Sequence, residues 1–225
     1  MHVLGVDTAT HRASVAVVAD GQTLAESNAD SRSHAASIVP LIDDLLREAG
    51  CTVEDLDVIA VSAGPGSFTG LRVGLSVAKG IACATGARVV GIPTLEALAR
   101  VLPATAGAIC PLLDARKGEL YAACFERRVD GWMRHCNDRL VTPEQLLTAL
   151  PDRCTILGDA VVRYGTFFAE HLGERATVLP WPAYSPRASV VAGLATDRLR
   201  TGTACEGLSL EPFYVRASDA ESRLG

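Results

Sequence analysis

The order in which strands and helices are predicted occurs twice along this chain of 225 residues. In each half, the spacing of apolar residues predicts three strands, then a helix, a strand, a helix, a strand and a helix. The first strand of each half ends in an aspartate, Asp7 or Asp114. Residues 103–107 contain Pro, Gly and Ala and are typical of a domain boundary. The sequence therefore predicts two α/β domains, 1–103 and 104–225, each a mixed β-sheet flanked by helices, and leaves the last helix able to pack back on the first domain.

Two such units resemble the build of the actin, hexokinase and Hsp70 superfamily, in which the turns after the first strands grip nucleotide phosphates. An ATPase of that class needs a carboxylate and glycines in the first turn, an equivalent second turn and a Gly-Gly loop for adenosine. Here the first turn has Asp7 and Thr8 but no glycine, and the second is charged from Asp114 to Glu119. Residues 158–160, Gly-Asp-Ala, stand in place of the adenosine loop, and Asp159 would repel a phosphate at close range. A role as a turn-former is therefore favoured for Asp7 over magnesium binding.

The segment between residues 63 and 74 reads AGPGSFTGLRVG and follows a strand predicted at residues 58–62. Ser67 is predicted to cap a helix that ends at Gly86. Free amides at the start of such a helix can hold an anion, although the segment is neither a P-loop nor a G-x-G-x-x-G motif. The residues of a candidate vestigial nucleotide or anion loop are Asp7, Thr8, Gly64 and Gly66.

The helix predicted at residues 67–85 carries only two charges, Arg72 and Lys79, so it is expected to be covered on several sides. Small residues recur every fourth position and form a ridge, the inner ridge, made of Gly70, Gly74, Ala78 and Ala82. Each interior glycine costs roughly 1 kcal/mol of helix propensity, which close approach of a neighbouring backbone would offset. One face is predicted to pack on the chain's own sheet, and the remaining apolar face is predicted to dock another subunit.

Composition and residue spacing exclude several classes of protein. The net charge of −5 argues against an extended nucleic-acid surface on this chain alone. No basic leader and no apolar run of about 18–20 residues is present, so a cytoplasmic location without a membrane span is expected. No histidine pair has metal-binding spacing, and the seven cysteines include no C-x-x-C, which favours reduced core thiols. A cluster formed by Asp114, Arg116, Glu119 and Tyr121 is interpreted as a hairpin latch, and no catalytic residue is predicted.

Motifs throughout the chain closely resemble the bacterial TsaB (YeaZ-like) family of tRNA threonylcarbamoyladenosine biosynthesis proteins. They are residues 7–10, 14–16, His34, 40–42, 64–74, 91–95, 113–121 and 212–216. The Gly-Pro-Gly-Ser-Phe-Thr-Gly segment is the most specific of them. In the catalytic relative TsaD, the segment matching residues 93–98 supplies a His-x-x-x-His metal pair, whereas Thr94 and Leu98 stand at those positions here. The resemblance therefore implies a degenerate, non-catalytic paralogue.

The resemblance also implies partners. In the family, TsaB pairs with TsaD and the ATPase TsaE, and the complex transfers a threonylcarbamoyl group to the adenosine beside the tRNA anticodon. ATP and metal are thus expected on the partners, with no cofactor held tightly by this chain and with tRNA reached through the complex. The pairing surface matches the helices at residues 33–49 and 67–85. The candidate partner-binding residues are Ser67, Phe68, Gly70, Arg72, Val73, Gly74, Val77, Ala78, Ile38 and Leu41.

Two alternatives remain open from the sequence. The chain could be an independent enzyme, either an actin-like ATPase or kinase or a peptidase of the sort once attributed to this family. It could also form a homodimer through the same helices, because an exposed apolar helix can self-pair when its partner is absent.

Overall fold

The computed structural model describes residues 1–30, 34–103 and 107–215. The elements of the first half are β1 (His2–Asp7), β2 (Arg12–Ala19), β3 (Gln22–Asp30), α1 (His34–Ala49), β4 (Val58–Gly64), α2 (Phe68–Thr85), β5 (Arg88–Pro93) and α3 (Thr94–Ala99). Those of the second half are β6 (Ala108–Asp114), β7 (Leu120–Arg128), β8 (Gly131–Val141), α4 (Pro143–Ala149), β9 (Cys154–Leu157), α5 (Val161–Leu172), β10 (Ala176–Val178), α6 (Ala188–Thr201) and β11 (Cys205–Glu206). The predicted order of elements is confirmed in both halves, while Ser33 and residues 104–106 of the predicted boundary lie outside the described residues.

The described chain divides into two compact units. The first unit comprises Met1–Ala97 together with Pro186–Phe213, and the second contains Leu98–Ser185. This division differs from the boundary expected at residue 103, because the segment containing α6 belongs to the first unit. Chain order places α6 in the second half, and its contacts are with the first sheet, mainly with β1 and β2, which is the arrangement that the sequence left open.

The first unit is built on a six-stranded sheet in the order β11-β5-β4-β1-β2-β3. β1, β4 and β5 run parallel, while β2, β3 and β11 pair antiparallel with their neighbours. Side chains alternate between the faces of β1, as expected for a strand. Leu4 and Val6 join the core beneath α1 and α2, while Val3 packs with Val191 of α6 on the opposite face. The sheet is therefore covered by helices on both faces.

The second unit repeats the plan with a five-stranded sheet in the order β10-β9-β6-β7-β8. Its core contains apolar residues of β6, β7 and β9 together with Leu146 of α4 and the fully buried Phe168 of α5. No helix within the described ranges has both the length and the apolar character that a membrane crossing requires.

Two helix starts form as the local sequence predicts. The Ser67 side chain accepts a hydrogen bond from the Gly70 amide at 3.2 Å, and α2 ends at Gly86 with a left-handed φ of 80°. Thr142 and Gln145 exchange hydrogen bonds of 3.3 and 3.0 Å in a capping box at α4. Pro40 within a helical pattern predicts either a kink or a helix start nearer Ser37. The helix α1 begins at His34, so the later start is wrong.

The Ser185-Pro186 pair predicts a helix start at these residues, but α6 begins after them. The helix begins at Ala188, whose amide donates to Ser14 Oγ at 2.9 Å. The Ser189 amide donates to Glu26 Oε1 at 3.0 Å, and Arg187 forms an ion pair with the same carboxylate. Residues far away in the sequence thus satisfy amides that a local cap would otherwise serve.

Replacing Glu26 by Ala is expected to lower the free energy of unfolding of the first unit by about 2 kcal/mol, because the amide and hydroxyl of Ser189 and the Arg187 guanidinium lose their acceptor. Burial opposes the Glu26 charge, but the hydrogen bonds from Arg187 and Ser189 hold its pKa below the usual range. The loss should therefore be largest at neutral pH and shrink on acidification through the acid range. Urea unfolding monitored by circular dichroism measures it.

Asp30→Ala provides the control for Glu26→Ala. Asp30 lies on the same strand, is 71% exposed and pairs with Arg12 at 3.3 Å. A surface pair of this kind contributes only about 0–1 kcal/mol. Equal losses in the two variants would contradict the role assigned to Glu26.

Candidate functional site

The turn after β1 holds a buried carboxyl group that is hydrogen-bonded to nearby residues of the first unit. The Asp7 carboxyl is fully buried and accepts hydrogen bonds from the Ser62 hydroxyl and, at 3.2 Å, from the Ala9 amide. Burial raises the pKa of Asp7 to about 6, an effect that these hydrogen bonds only partly offset. The carboxyl is thus held in a position where its ionised form is disfavoured.

Thr8 fills the space that two glycines of α2 leave open. Its hydroxyl donates to the Gly70 carbonyl at 2.7 Å. A Cβ at Gly70 would overlap the carbonyl oxygen of Thr8, and a Cβ at Gly74 would overlap the Thr8 hydroxyl oxygen. The glycines therefore serve the close approach of α2 to the β1–β2 turn, which is the physical return for their low helix propensity.

The loop before α2 is likewise engaged within the first unit. The Ser67 amide donates to the Ala9 carbonyl at 2.7 Å, and a Cβ at Gly66 would lie 2.5 Å from the same oxygen. The Gly70 amide is taken by the Ser67 hydroxyl. Amides at a helix start are what an anion would require, and these two already have acceptors. The structure thus brings Thr8, Gly66 and Gly70 together as a packing contact.

The C-terminal segment covers the other side of this loop. The Phe213 amide donates to the Ala63 carbonyl at 2.7 Å. Gly64 has a φ of 119°, and a Cβ there would overlap the Phe213 carbonyl oxygen. Two motifs distant in sequence, 64–74 and 212–216, therefore meet here, with Arg216 outside the described residues.

The inner ridge faces the core of the first unit. Gly70, Gly74, Ala78 and Ala82 are all buried on the side of α2 that lies on the sheet. Ile38 of α1 is also fully buried in this core. These residues cannot be reached by a docking subunit, which corrects the assignment of Gly70, Gly74, Ala78 and Ile38 as partner contacts.

The opposite side of α2 is open. Ser67, Arg72, Ser76, Gly80 and Ala84 are exposed, and nothing lies within 4 Å of a Cβ built at Gly80. The remaining candidate contacts are partly exposed beside this stripe: Phe68, Val73 and Val77 of α2 and Leu41 of α1. We call this set, with Ile81, the outer face. The Arg72 guanidinium carbon lies 3.9 Å from the centroid of the Phe68 ring, so the charge at this end is stacked on an aromatic side chain.

The turn after β6 joins Asp114 and Arg116, two of the four residues of the predicted latch. The Asp114 amide donates to Asp159 Oδ1 at 2.9 Å, and Asp114 Oδ1 accepts from the Arg116 amide at 2.8 Å. Arg116 and Lys117 both have positive φ, as a tight turn requires. Asp159 thus ties the end of β6 to the loop after β9. The Thr94 and Leu98 side chains are fully buried, and the described residues contain no group of three or more His, Cys, Asp or Glu placed to hold a metal ion.

Replacing Asp7 by Asn is expected to raise the free energy of unfolding by about 2 kcal/mol near neutral pH, because the folded state no longer has to bury a charge. The raised pKa means that the folded wild-type chain binds more protons than the unfolded chain between about pH 4 and 6. Its stability should therefore fall as pH rises through this window, and the Asn variant should lose this slope. Urea unfolding across the pH range gives both quantities.

Asp55→Asn is the matched control for Asp7→Asn. The Asp55 carboxylate is exposed, and hydrogen bonds from Thr52 lower its pKa. No stabilisation is expected from this change. A variant at Asp7 that was less stable than the wild type at neutral pH would contradict the burial argument.

Known proteins match this chain over nearly its whole length. Residues 27–222 match the family model described as TsaD: tRNA N6-adenosine threonylcarbamoyltransferase. The tRNA threonylcarbamoyladenosine biosynthesis protein TsaB of Escherichia coli strain K12 is 35% identical, with 100% of this chain and 98% of that protein covered. TsaB of Bacillus subtilis strain 168 is 26% identical, over 99% and 97% of the two chains.

Solved structures agree with this likeness. YeaZ from Pseudomonas aeruginosa superposes with a TM-score of 0.80 at 28% identity, covering 95% of this chain and 99% of that one. ROK hexokinase from Thermus thermophilus has a TM-score of 0.51 at 13% identity, covering 88% and 100%. The hexokinase likeness shows the fold alone. The predicted fold class, two actin/hexokinase/Hsp70-like subdomains, is confirmed.

Proposed function

Because this chain belongs to the TsaB (YeaZ-like) family, we propose that it acts in tRNA threonylcarbamoyladenosine biosynthesis as a non-catalytic subunit that binds and activates a TsaD-like transferase. A TsaE-like ATPase would join the two, tRNA would be reached through the complex, and the site of action would be the cytoplasm. ATP and metal would reside on the partners. This assignment extends what the names of the relatives state, which is participation in the biosynthesis.

The observation that carries the proposal is the outer face of α2. It combines the exposed small side chains of Ser76, Gly80 and Ala84 with the partly exposed Val73 and Val77. A helix with small side chains on its solvent side lets a second helix approach closely, and docking would remove the apolar surface of Val73, Val77 and Ala84 from water. An ordinary surface helix would carry a broad polar face there. The outer face therefore fits a helical partner.

The charged residues of α1 and α2 also favour docking of a partner at the outer face. The outward side of α1 carries Asp43, Asp44 and Glu48, while Arg47 forms ion pairs with the two aspartates. On α2, Arg72 is exposed and Lys79 is partly exposed. A partner with basic residues facing α1 and acidic residues facing α2 would be oriented by these charges. Complementary charges contribute to the association rate and to the orientation of a complex.

The β1–β2 turn supports a role without nucleotide chemistry of its own. The residues of the candidate vestigial loop are engaged in packing: Thr8 with Gly70, Gly66 with Ala9, and Gly64 with Phe213. An ATPase of this fold would present amides and glycines to phosphate at this point. The stand-alone ATPase or kinase therefore ranks behind the subunit.

The test is the mass of the complex formed with purified TsaD-like and TsaE-like proteins of the same organism, measured by light scattering after size exclusion. We expect a complex containing this chain and the TsaD-like protein. Absence of any complex, including in the presence of TsaE-like protein, nucleotide and tRNA, would overturn the proposal. A self-associated chain that does not exchange with the TsaD-like protein would support the homodimer alternative instead.

Calorimetry with Mg-ATP separates the subunit from the independent enzyme. We expect no stoichiometric binding to the isolated chain. Tight binding at one site per chain would revive the ATPase or kinase hypothesis.

A further inference from the structure

Four of the seven cysteines lie in a row across the second sheet. They are Cys154 on β9, Cys110 on β6, Cys124 on β7 and Cys136 on β8, and all four are free thiols. Cys124 is paired directly with Cys136 across β7 and β8. The register of β6 and β7, in which Ile109 faces Phe125, places Cys110 opposite Cys124. The row thus runs from strands in the interior of the sheet to the edge strand β8.

Cys110 contacts both of its neighbours in this row, Cys154 and Cys124, and the contact with Cys124 is the one on the side toward the edge strand. The sulfur atoms of Cys110 and Cys124 are 3.6 Å apart, and the Cys110 thiol donates to the Cys124 sulfur. Directly opposed residues on antiparallel strands have their Cβ atoms about 4.5–5.5 Å apart. A disulfide requires about 3.5–4.5 Å, so a small side-chain rotation with a slight approach of the strands would suffice.

The two sulfurs differ in access and in acidity. Cys110 is fully buried, whereas Cys124 is partly exposed. The hydrogen bond from Cys110 lowers the pKa of the Cys124 thiol, while its bonds to Cys124 and Cys154 and its burial raise the pKa of Cys110. The thiolate is the reactive form of cysteine. Cys124 is therefore the sulfur that a small oxidant reaches first, and Cys110 is a protonated neighbour in contact with it.

We propose that Cys124 and Cys110 form an oxidation site for small peroxides, with Cys124 as the thiol that attacks the peroxide and Cys110 as the resolving thiol. The Cys124 thiolate attacks one peroxide oxygen, the O–O bond breaks, and a sulfenic acid forms with release of hydroxide, or water after protonation. The Cys110 sulfur then displaces the sulfenic hydroxyl as a second water. In total, two thiols and one hydrogen peroxide give one disulfide and two waters. The disulfide would tie β6 to β7 and close the hairpin that carries the Asp114 turn.

Trypsin separates the four cysteines of the row, which makes the site directly testable. Cleavage after Arg100, Arg116, Lys117 and Arg127 puts Cys110 and Cys124 in different peptides, residues 101–116 and 118–127. Cys136 and Cys154 fall in two further peptides, residues 135–139 and 154–163. The full chain is treated with hydrogen peroxide, blocked with N-ethylmaleimide under denaturing conditions, digested and analysed by mass spectrometry without reductant.

The expected product is a linked pair of peptides 101–116 and 118–127 that disappears on reduction, and neither of these peptides is alkylated in that fraction. Cys136→Ala should leave the link intact. Cys110→Ala should leave Cys124 as a sulfinic acid or a mixed disulfide. A predominant link from Cys124 to Cys136 or Cys154 would overturn the proposal, as would a Cys124 that becomes sulfinic acid in the wild-type chain without any link. The digest of the wild-type chain alone tests the proposed link, so the result holds even where a variant fails to fold.

Discussion

Replacing Gly70 by Ala is expected to lower the free energy of unfolding of the first unit by about 4 kcal/mol. The new Cβ would overlap the Thr8 carbonyl oxygen, which is backbone and cannot turn away. The helix would have to move outward, and this movement would break the 2.7 Å hydrogen bond between the Thr8 hydroxyl and the Gly70 carbonyl. The loss should far exceed the roughly 1 kcal/mol that Ala gains over Gly in a helix. Urea unfolding monitored by circular dichroism measures the difference.

Gly80→Ala is the control on the same helix. Nothing lies within 4 Å of a Cβ at Gly80, so only the helix propensity changes. This variant should be more stable than the wild type by about 0.5–1 kcal/mol. The two identical substitutions are thus predicted to have opposite signs. A Gly70→Ala chain as stable as Gly80→Ala would show that α2 does not approach the Thr8 turn as described.

Gly74 illustrates why a large side chain on the inner ridge cannot test docking. A Cβ there would already overlap the Thr8 hydroxyl oxygen, and the Val61 side chain lies 3.4 Å away. A Gly74→Leu chain would lose its complex because the first unit is disturbed, whether or not a partner uses α2. The experiment has to be made on the outer face.

Local sequence was sufficient for much of α2. Ser67 and Gly86 mark its ends because caps depend on residues within one turn of them. The four-residue spacing of small side chains also showed that something approaches the helix closely. It could not show what approaches, since glycine is suited equally to a neighbouring subunit and to the chain's own turn. The Thr8 contact spans 62 positions in sequence and is visible only in the fold.

The position of α6 likewise depends on contacts that the local sequence does not show. Its start was expected at Ser185 and Pro186 because Ser-Pro is a common local opening. The acceptors are instead Ser14 and Glu26, more than 160 positions away. Gly5 carries the matching signal, because a Cβ there would overlap the Ala188 carbonyl oxygen. A glycine in a buried strand could have suggested a crossing helix, but not which one.

Replacing Gly80 by Arg is expected to weaken binding of the TsaD-like partner at least about 100-fold, which corresponds to about 2.7 kcal/mol. The open space around Gly80 accommodates the side chain in the isolated subunit, so its stability should not fall. In the complex, the same side chain would separate two helices that approach closely over small residues and would bring a charge into apolar surface. Isothermal titration calorimetry with the TsaD-like protein measures the change.

Gly193→Arg is the matched control, because Gly193 lies on α6 of the same unit and also has nothing within 4 Å of its Cβ position. It makes the same change of size and charge on a helix that lies on the opposite face of the sheet from α2, so its affinity should equal that of the wild type. Equal affinities for all three chains would exclude the outer face of α2 while leaving a complex through another surface. Equal losses in both variants would indicate a general effect of charge. Only a loss confined to Gly80→Arg assigns docking to this face, because the two glycines occupy different helices and both have free space at the Cβ position.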